Sequence, residues 1–163
     1  MKTFKDSSSL RSSLENGIRI VAENVASTLG PQGRSVILHQ KGKSPIITKD
    51  GVTVAKFIDL EDNIENTGAQ IVKQAAEKTN QQAGDGTTTT TVLAYAMYRD
   101  AQKYLVAGAP PTDLKKGMEK AIAWLVTQIE KESSPLQSLE DIQNIATISA
   151  NGDASVGKMI AQA

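Results

Sequence analysis

The chain has 163 residues, 39% of them hydrophobic, which suffices for one domain with a buried core, or for one domain and part of a second. Its 18 basic and 18 acidic residues cancel, so neither nucleic acid nor a membrane surface is an expected partner, since both favour a basic excess or stripe. The absence of cysteine excludes disulfides and thiolate metal sites, and 4% aromatic content leaves little for base-stacking platforms. Residues 1–6 run into serines rather than an apolar core, so no secretory leader is expected. No apolar run reaches the ~20 residues that span a bilayer. A reducing, cytoplasmic location is the expectation.

Serines 7–9 provide capping material for a helix whose apolar face is Leu10, Leu14, Ile18, Val21, Ala22 and Val25. It ends at Thr28-Leu29-Gly30-Pro31-Gln32-Gly33, where glycine followed by proline is an ordinary helix stop. Residues 35–39 and 46–48 are short β-type runs joined as a hairpin by 40–45. A lone hairpin is barely stable in water, so these strands need a partner elsewhere in the chain or on another subunit. His39, the single histidine, has no nearby triad or metal residues and reads as a surface group.

Lys49-Asp50-Gly51 turns the chain into a short helix at 52–57. Asp50 is either its N-cap or a carboxylate that orients water beside a phosphate, and the second role requires residues 50 and 85 to meet. From Glu61 the spacing of Ile64, Gly68, Ile71, Val72, Ala75 and Thr79 predicts a helix of four to five turns, with Gly68, Ala69, Ala75 and Ala76 permitting close packing. Another helix runs from Thr87 to about Ala107 and stops at Gly108-Ala109-Pro110-Pro111. Thr112-Asp113 caps the next, whose face is Leu114, Met118, Ala121, Ile122, Leu125, Val126 and Ile129, with Trp124 at its edge. Ser133-Ser134-Pro135 is the clearest boundary. Ser138 then caps a shorter helix through Leu139, Ile142, Ile145 and Ala146. Residues 147–153 form a turn, and 156–163 a last helix without a terminator.

The most informative stretch is Gly84-Asp85-Gly86-Thr87-Thr88-Thr89-Thr90-Thr91. Its glycines allow a tight or left-handed turn that aims Asp85. Val92, Leu93, Ala96 and Met97 follow at helical spacing, making the threonines a first helical turn with unpaired N–H groups and the positive end of the helix dipole. Phosphate suits that place. Asp85 suits it only if Mg²⁺, which prefers one or two carboxylates plus phosphate oxygens, lies between. The rival is a β-strand, because β-branched residues favour strands and Gly-Asp-Gly would be its turn. No Gly-Lys-[Ser/Thr] ending is present, so this is not a P-loop.

Thr28-Leu29-Gly30-Pro31, Ile47-Thr48-Lys49-Asp50-Gly51, Gly68-Ala69-Gln70, Gly84-Asp85-Gly86-Thr87-Thr88-Thr89 and Thr147-Ile148-Ser149-Ala150-Asn151 together resemble the ordered motifs of a group I chaperonin, in its N-terminal third or less. The resemblance implies a mainly α fold: a helical equatorial domain with a small β-hairpin over 1–132, then the first segment of the intermediate domain over 133–163. It implies an ATP-dependent folding chaperone working as a homo-oligomeric ring, with unfolded clients bound by an apical domain outside this chain, and possible use of a lid co-chaperone. The phosphates would lie between the 28–31 loop (Thr28, Leu29, Gly30, Pro31) and Asp85, Gly86, Thr87, Thr88 and Thr89. Asp85 would bind Mg²⁺, and Thr28, Lys49 and Thr88 would hold K⁺. Asp50 would stand near the γ-phosphate as the catalytic group of this segment, and Ile148 and Ser149 would edge the site. The hairpin would pair across a subunit boundary.

Gln32 stands where the family's usual Gly-Pro-Lys-Gly loop has lysine, and Thr90 where alanine is common, its hydroxyl expected at the helix surface. The serine-rich opening also departs from the family's terminus and bears on the terminal ring contact. The family's catalytic aspartate belongs to a later segment, so the chain by itself is expected to bind nucleotide with negligible turnover. A non-hydrolysing nucleotide-binding or ring-interface module is the alternative. A free-standing small-molecule kinase is weaker still.

Overall fold

The computed structural model describes residues 7–150 and 152–163. The expectations about a leader and a terminal ring contact fall on residues outside these, as does Asn151 of the last motif. Among the described residues the order is α1 (Ser7–Ala26), β1 (Val36–Leu38), β2 (Ile46–Thr48), α2 (Gly51–Phe57), α3 (Asn63–Ala83), α4 (Thr87–Val106), α5 (Pro111–Glu132), α6 (Leu139–Ser149) and α7 (Ala154–Gln162). This is the expected mainly α fold with one small antiparallel hairpin, paired Val36 to Thr48, Ile37 to Ile47 and Leu38 to Ile46. The chain divides into two compact units, Met1–Lys103 and Tyr104–Ala163.

The core of the first unit is built from Ile18, Val21 and Val25 of α1, Leu38 of β1, Val54 and Ala55 of α2, and Ala69 and Val72 of α3. The i, i+3, i+7 spacing in α1 puts its apolar residues on one stripe, and burying that stripe stabilises a helix far more than propensity does. α1 and α3 touch backbone to backbone. A Cβ on Gly17 would overlap the carbonyl oxygen of Glu65, and one on Gly68 would overlap that of Leu14. Gly68 was legible as a packing residue; Gly17, on the opposing helix, was not.

Two helical faces differ from expectation. In α3 the buried residues are Gly68, Ala69, Val72, Lys73 and Ala76, while Ile71 is exposed. The glycine contact sets the rotation of the helix, and the smallest side chains take the seam. In α4 the face turned inward is Thr87, Thr91, Tyr95 and Tyr98, whereas Leu93 and Met97, two residues and ~200° away, are exposed. The helix was read correctly and its inward side was not.

Lys73 is only 7% exposed, and its Nζ donates to the backbone oxygen of Ile58, the residue that ends α2. The charge thereby closes a helix C-terminus, where cations are favourable. Lys73→Met keeps the length of the side chain and removes the donor; it is expected to cost about 1–3 kcal/mol, read as a lower urea midpoint, because the part-buried carbonyl that ends α2 loses its partner.

In the second unit α5 begins at Pro111 with Pro110 as N-cap and no side-chain cap hydrogen bond, so Thr112 and Asp113 lie inside the first turn rather than capping it. Proline at the first helical position needs no N–H partner, which explains the earlier start. None of the α5 residues is buried, and Trp124 is 63% exposed. The helix ends at Glu132, at the expected boundary. Residues 147–149 continue α6 instead of turning, because Thr147 packs on α7, where its Oγ1 occupies the place a Cβ on Gly157 would take.

Ser138 and Asp141 form a reciprocal capping box at the start of α6. Hydrogen bonds from the Gln137 N–H, and then from Ser138, hold the Asp141 carboxyl below its ordinary value of 3.8. A depressed carboxylate stabilises above its unfolded pKa, and the contribution is lost as pH falls through the folded one. Protection of the first-turn amides of α6, taken relative to their intrinsic exchange rates, is therefore expected to fall only below about pH 4, and Asp141→Asn to abolish that pH dependence.

Candidate functional site

The start of α4 meets the start of α2, which in turn meets the last turn of α1. The connection from α3 is closed by Gly84, whose φ of 73° is left-handed and whose N–H donates to the Asn80 oxygen at 2.9 Å. Residues with a Cβ rarely adopt that geometry, so the glycine ends α3 and turns the chain at once into α4. Asp85 is exposed at the tip, and its Oδ1 accepts from the Gly86 N–H at 2.6 Å. The first intrahelical bond of α4 runs from the Thr90 N–H to the Gly86 oxygen at 2.8 Å. The N–H groups of Thr87, Thr88 and Thr89 thus have no acceptor within the helix, and they point from its positive end. The strand alternative for the threonines falls here: all five lie in α4.

The hydroxyls divide by face. Thr91 is fully buried and its Oγ1 donates back to the Thr87 oxygen at 2.9 Å. Thr90 is part-buried rather than on the surface, and its Oγ1 meets that of Thr79 at 3.1 Å. Thr88 and Thr89 make no side-chain hydrogen bond among the described residues; Thr89 is exposed, and the Thr88 hydroxyl lies against Gly51.

The second segment is the start of α2. Asp50 is its N-cap: its carboxylate accepts from the Val52 N–H at 3.3 Å, the Thr53 N–H at 2.8 Å and the Thr53 hydroxyl at 2.5 Å. The bland role of Asp50 is therefore filled. The following Gly51 is buried and lies hard against α4, since a Cβ there would overlap Thr88 Oγ1 and stand 3.1 Å from Val25 Cγ1. This contact brings the Lys49-Asp50-Gly51 segment to the first turn of α4, which spacing along the chain could not do. Lys49 itself is exposed.

The third segment follows α1. Val25, which touches the Gly51 position, is one turn before Thr28, and Thr28 closes the helix end with its Oγ1 donating to the Val25 oxygen at 2.7 Å. Beyond it Leu29, Gly30, Pro31 and Gln32 form an exposed turn. The turn is pinned by the Gly33 N–H to the Gly30 oxygen at 2.9 Å and the Arg34 N–H to the Ser27 oxygen at 2.8 Å. Of the residues singled out in the sequence, Asp50 and Thr88 are thus brought together through Gly51, which also meets Val25, one turn before Thr28. Ile148 and Ser149 lie in the second unit, exposed on the last turn of α6. Sequence reasoning missed Gly51 and Val25 as the contacts that assemble the neighbourhood. The signal was there in Gly51, a small residue beside an acidic cap.

Among the described residues no three His, Cys, Asp or Glu side chains form a ready-made metal cage. Asp85 is the exposed carboxylate at the turn before α4.

Residues 21–163 match the TCP-1/cpn60 chaperonin family. Over 153 residues the chain is 52% identical to the chloroplastic chaperonin GroEL of Trieres chinensis, covering 94% of this chain and 29% of that protein. Among solved structures it is similar to a group III chaperonin in the open state, at 27% identity and a TM-score of 0.77 over 96% of this chain and 31% of that one. It is also similar to the chaperonin gp146 of bacteriophage EL 2 (Pseudomonas aeruginosa), solved in the presence of ATP-BeFx, at 27% identity and a TM-score of 0.76 over 94% of this chain and 27% of that one. The chain thus spans less than a third of the length of these relatives. The expectation of a cytoplasmic protein is corrected by the chloroplastic relative. Freedom from cysteine is compatible with any reducing compartment and does not single out the cytoplasm.

Proposed function

The chain belongs to the TCP-1/cpn60 chaperonin family, as the N-terminal region of a group I subunit, and on that premise we propose that it carries one wall of the ATP site of a ring-forming, ATP-driven protein-folding chaperone. The observation that supports the reading is the seating of Gly51 against Thr88 and Val25, which sets the Asp50 segment beside the first turn of α4 and the last turn of α1. The phage relative solved with ATP-BeFx supports a nucleotide as ligand.

In this reading the free N–H groups of Thr87, Thr88 and Thr89 and the hydroxyls of Thr88 and Thr89 receive phosphate oxygens, with Gly86 leaving the backbone accessible. Leu29, Gly30 and Pro31 face them from the α1 side. Asp85 would hold Mg²⁺, which when bound neutralises phosphate charge, and Thr28, Lys49 and Thr88 would hold K⁺. Asp50, anchored by the α2 N-terminus, is a rigid carboxylate that can accept a proton or hydrogen bond from water beside the terminal phosphate. ATP and ADP make different contacts with this wall, and only such a difference can shift a subunit between two conformations. Hydrolysis, ring partners of the same chain, client polypeptides and a lid co-chaperone belong to the whole subunit in this proposal.

Titration of the chain with Mg-ATP by calorimetry tests the site. Binding is expected, and Asp85→Ala is expected to weaken it at least about tenfold, ~1.4 kcal/mol, without moving the thermal midpoint, since the exposed carboxylate supports no packing. Equal affinity in the variant would sink the assignment of Asp85.

A further inference from the structure

The turn that carries Asp85 is bound on its far side by a directed chain of hydroxyls. Thr79, on the last full turns of α3, donates its Oγ1 hydrogen to the Ala75 oxygen at 3.1 Å. A hydroxyl has one hydrogen, so in the 3.1 Å contact between Thr79 and Thr90 the donor is Thr90. Thr90 therefore holds the turn twice. Its N–H closes the first turn of α4 on the Gly86 oxygen at 2.8 Å, and its Oγ1 ties that turn to α3 across the Gly84-Asp85-Gly86 connection. The neighbouring Thr91 shows the usual alternative, a hydroxyl turned back onto its own helix. The Thr79 methyl also lies 3.9 Å from where a Cβ on Gly86 would stand, so the same residue guards the backbone of the turn.

We infer that Thr90, through Thr79, is a positioning residue that fixes the Gly84–Thr87 backbone, and with it Asp85 and the unpaired N–H groups of α4, in the geometry that receives phosphate. Thr90 does not touch the ligand. Two left-handed glycines flank Asp85, at φ 73° and 82°, and a connection so free needs an external tie to keep its carboxylate aimed. The inference rests on the nucleotide reading for its functional half and on geometry alone for its structural half.

The test uses Thr90→Val, which keeps the shape and removes the donor, and Thr90→Ser, which restores the donor. In the nucleotide-free chain, amide exchange at Gly84 and Thr90, whose N–H groups donate to the Asn80 and Gly86 oxygens on either side of the turn, is expected to rise about tenfold in the valine variant, the rate change of a ~1.4 kcal/mol tie. It should return to the parent rate in the serine variant, with exchange in α1 unchanged in both. Mg-ATP affinity is expected to fall severalfold in Thr90→Val and recover in Thr90→Ser. Unchanged exchange in Thr90→Val overturns the inference, whatever the chain binds. Changed exchange with unchanged Mg-ATP affinity overturns the positioning role but spares the site. A parent chain that does not bind Mg-ATP overturns both.

Discussion

Gly17→Ala is expected to destabilise the first unit by about 2 kcal/mol, even though alanine favours a helix over glycine by ~1 kcal/mol. The added methyl would coincide with the Glu65 carbonyl oxygen and stand 3.0 Å from Glu65 Cα. Those are backbone atoms of α3, which cannot rotate away as a side chain can. The helices must separate, and separation loosens the packing of Ile18, Val21 and Val25 against Ala69 and Val72 as well. Overpacking of this kind costs roughly 1–3 kcal/mol and sometimes more. Gly68→Ala meets the Leu14 carbonyl in the same seam. The two changes should therefore be less than additive, because once the helices have parted the second methyl finds room. Gly117 in α5 provides the contrast: nothing lies within 4 Å of its Cβ position, and Gly117→Ala is expected to stabilise by up to ~1 kcal/mol. Denaturant unfolding of the three single variants and the Gly17/Gly68 double variant separates steric from propensity effects.

Gly51→Ala should be the most damaging small change at the nucleotide wall. The new methyl overlaps Thr88 Oγ1, and rotating that hydroxyl away does not clear the clash, since Thr88 Cβ remains at 3.3 Å and Val25 Cγ1 at 3.1 Å. The start of α2 and the first turn of α4 are pushed apart by some tenths of an ångström. Stability is expected to fall by only about 1–2 kcal/mol, because the start of α2 can shift. Mg-ATP affinity is expected to fall more than tenfold, more than ~1.4 kcal/mol, because hydrogen-bond donors aimed at an anion lose strength steeply with misplacement. Calorimetric titration beside thermal unfolding reads the two quantities separately. An affinity loss no larger than the stability loss would mean that Gly51 is a packing residue only.

Much of the fold was legible because helices announce themselves locally. The stripe of Ile18, Val21, Ala22 and Val25, the Ser138 cap and the stop after Glu132 are all properties of a few neighbouring residues, and each stands where the pattern puts it. The errors are those of orientation. Leu93 and Met97 are the most hydrophobic residues of early α4, and hydrophobicity alone turns them inward; Thr87 and Thr91 occupy that side instead, because Gly51 leaves room there for a helix that begins with threonine. Ile71 belongs to the apolar pattern that predicts α3 yet is exposed, because the glycine contact of the helix admits only small neighbours. The exposed Ile37, Ile46 and Ile47 of the hairpin agree with its need for a strand partner, which the chain itself does not provide among the described residues.

By itself the sequence determined the helices, the hairpin and the family, since these rest on short-range periodicity and on motifs read in order. It also determined the chemistry of the Gly84–Thr91 stretch, because a flexible turn, one carboxylate and a helix start carry their electrostatics with them. Only the tertiary structure decided which side of each helix faces inward and that Val25, Gly51 and Thr88 meet. Contacts between segments depend on backbone approach at Gly17, Gly51 and Gly68, where the informative feature is a missing side chain. Its partners lie tens of residues away, beyond the reach of any local pattern.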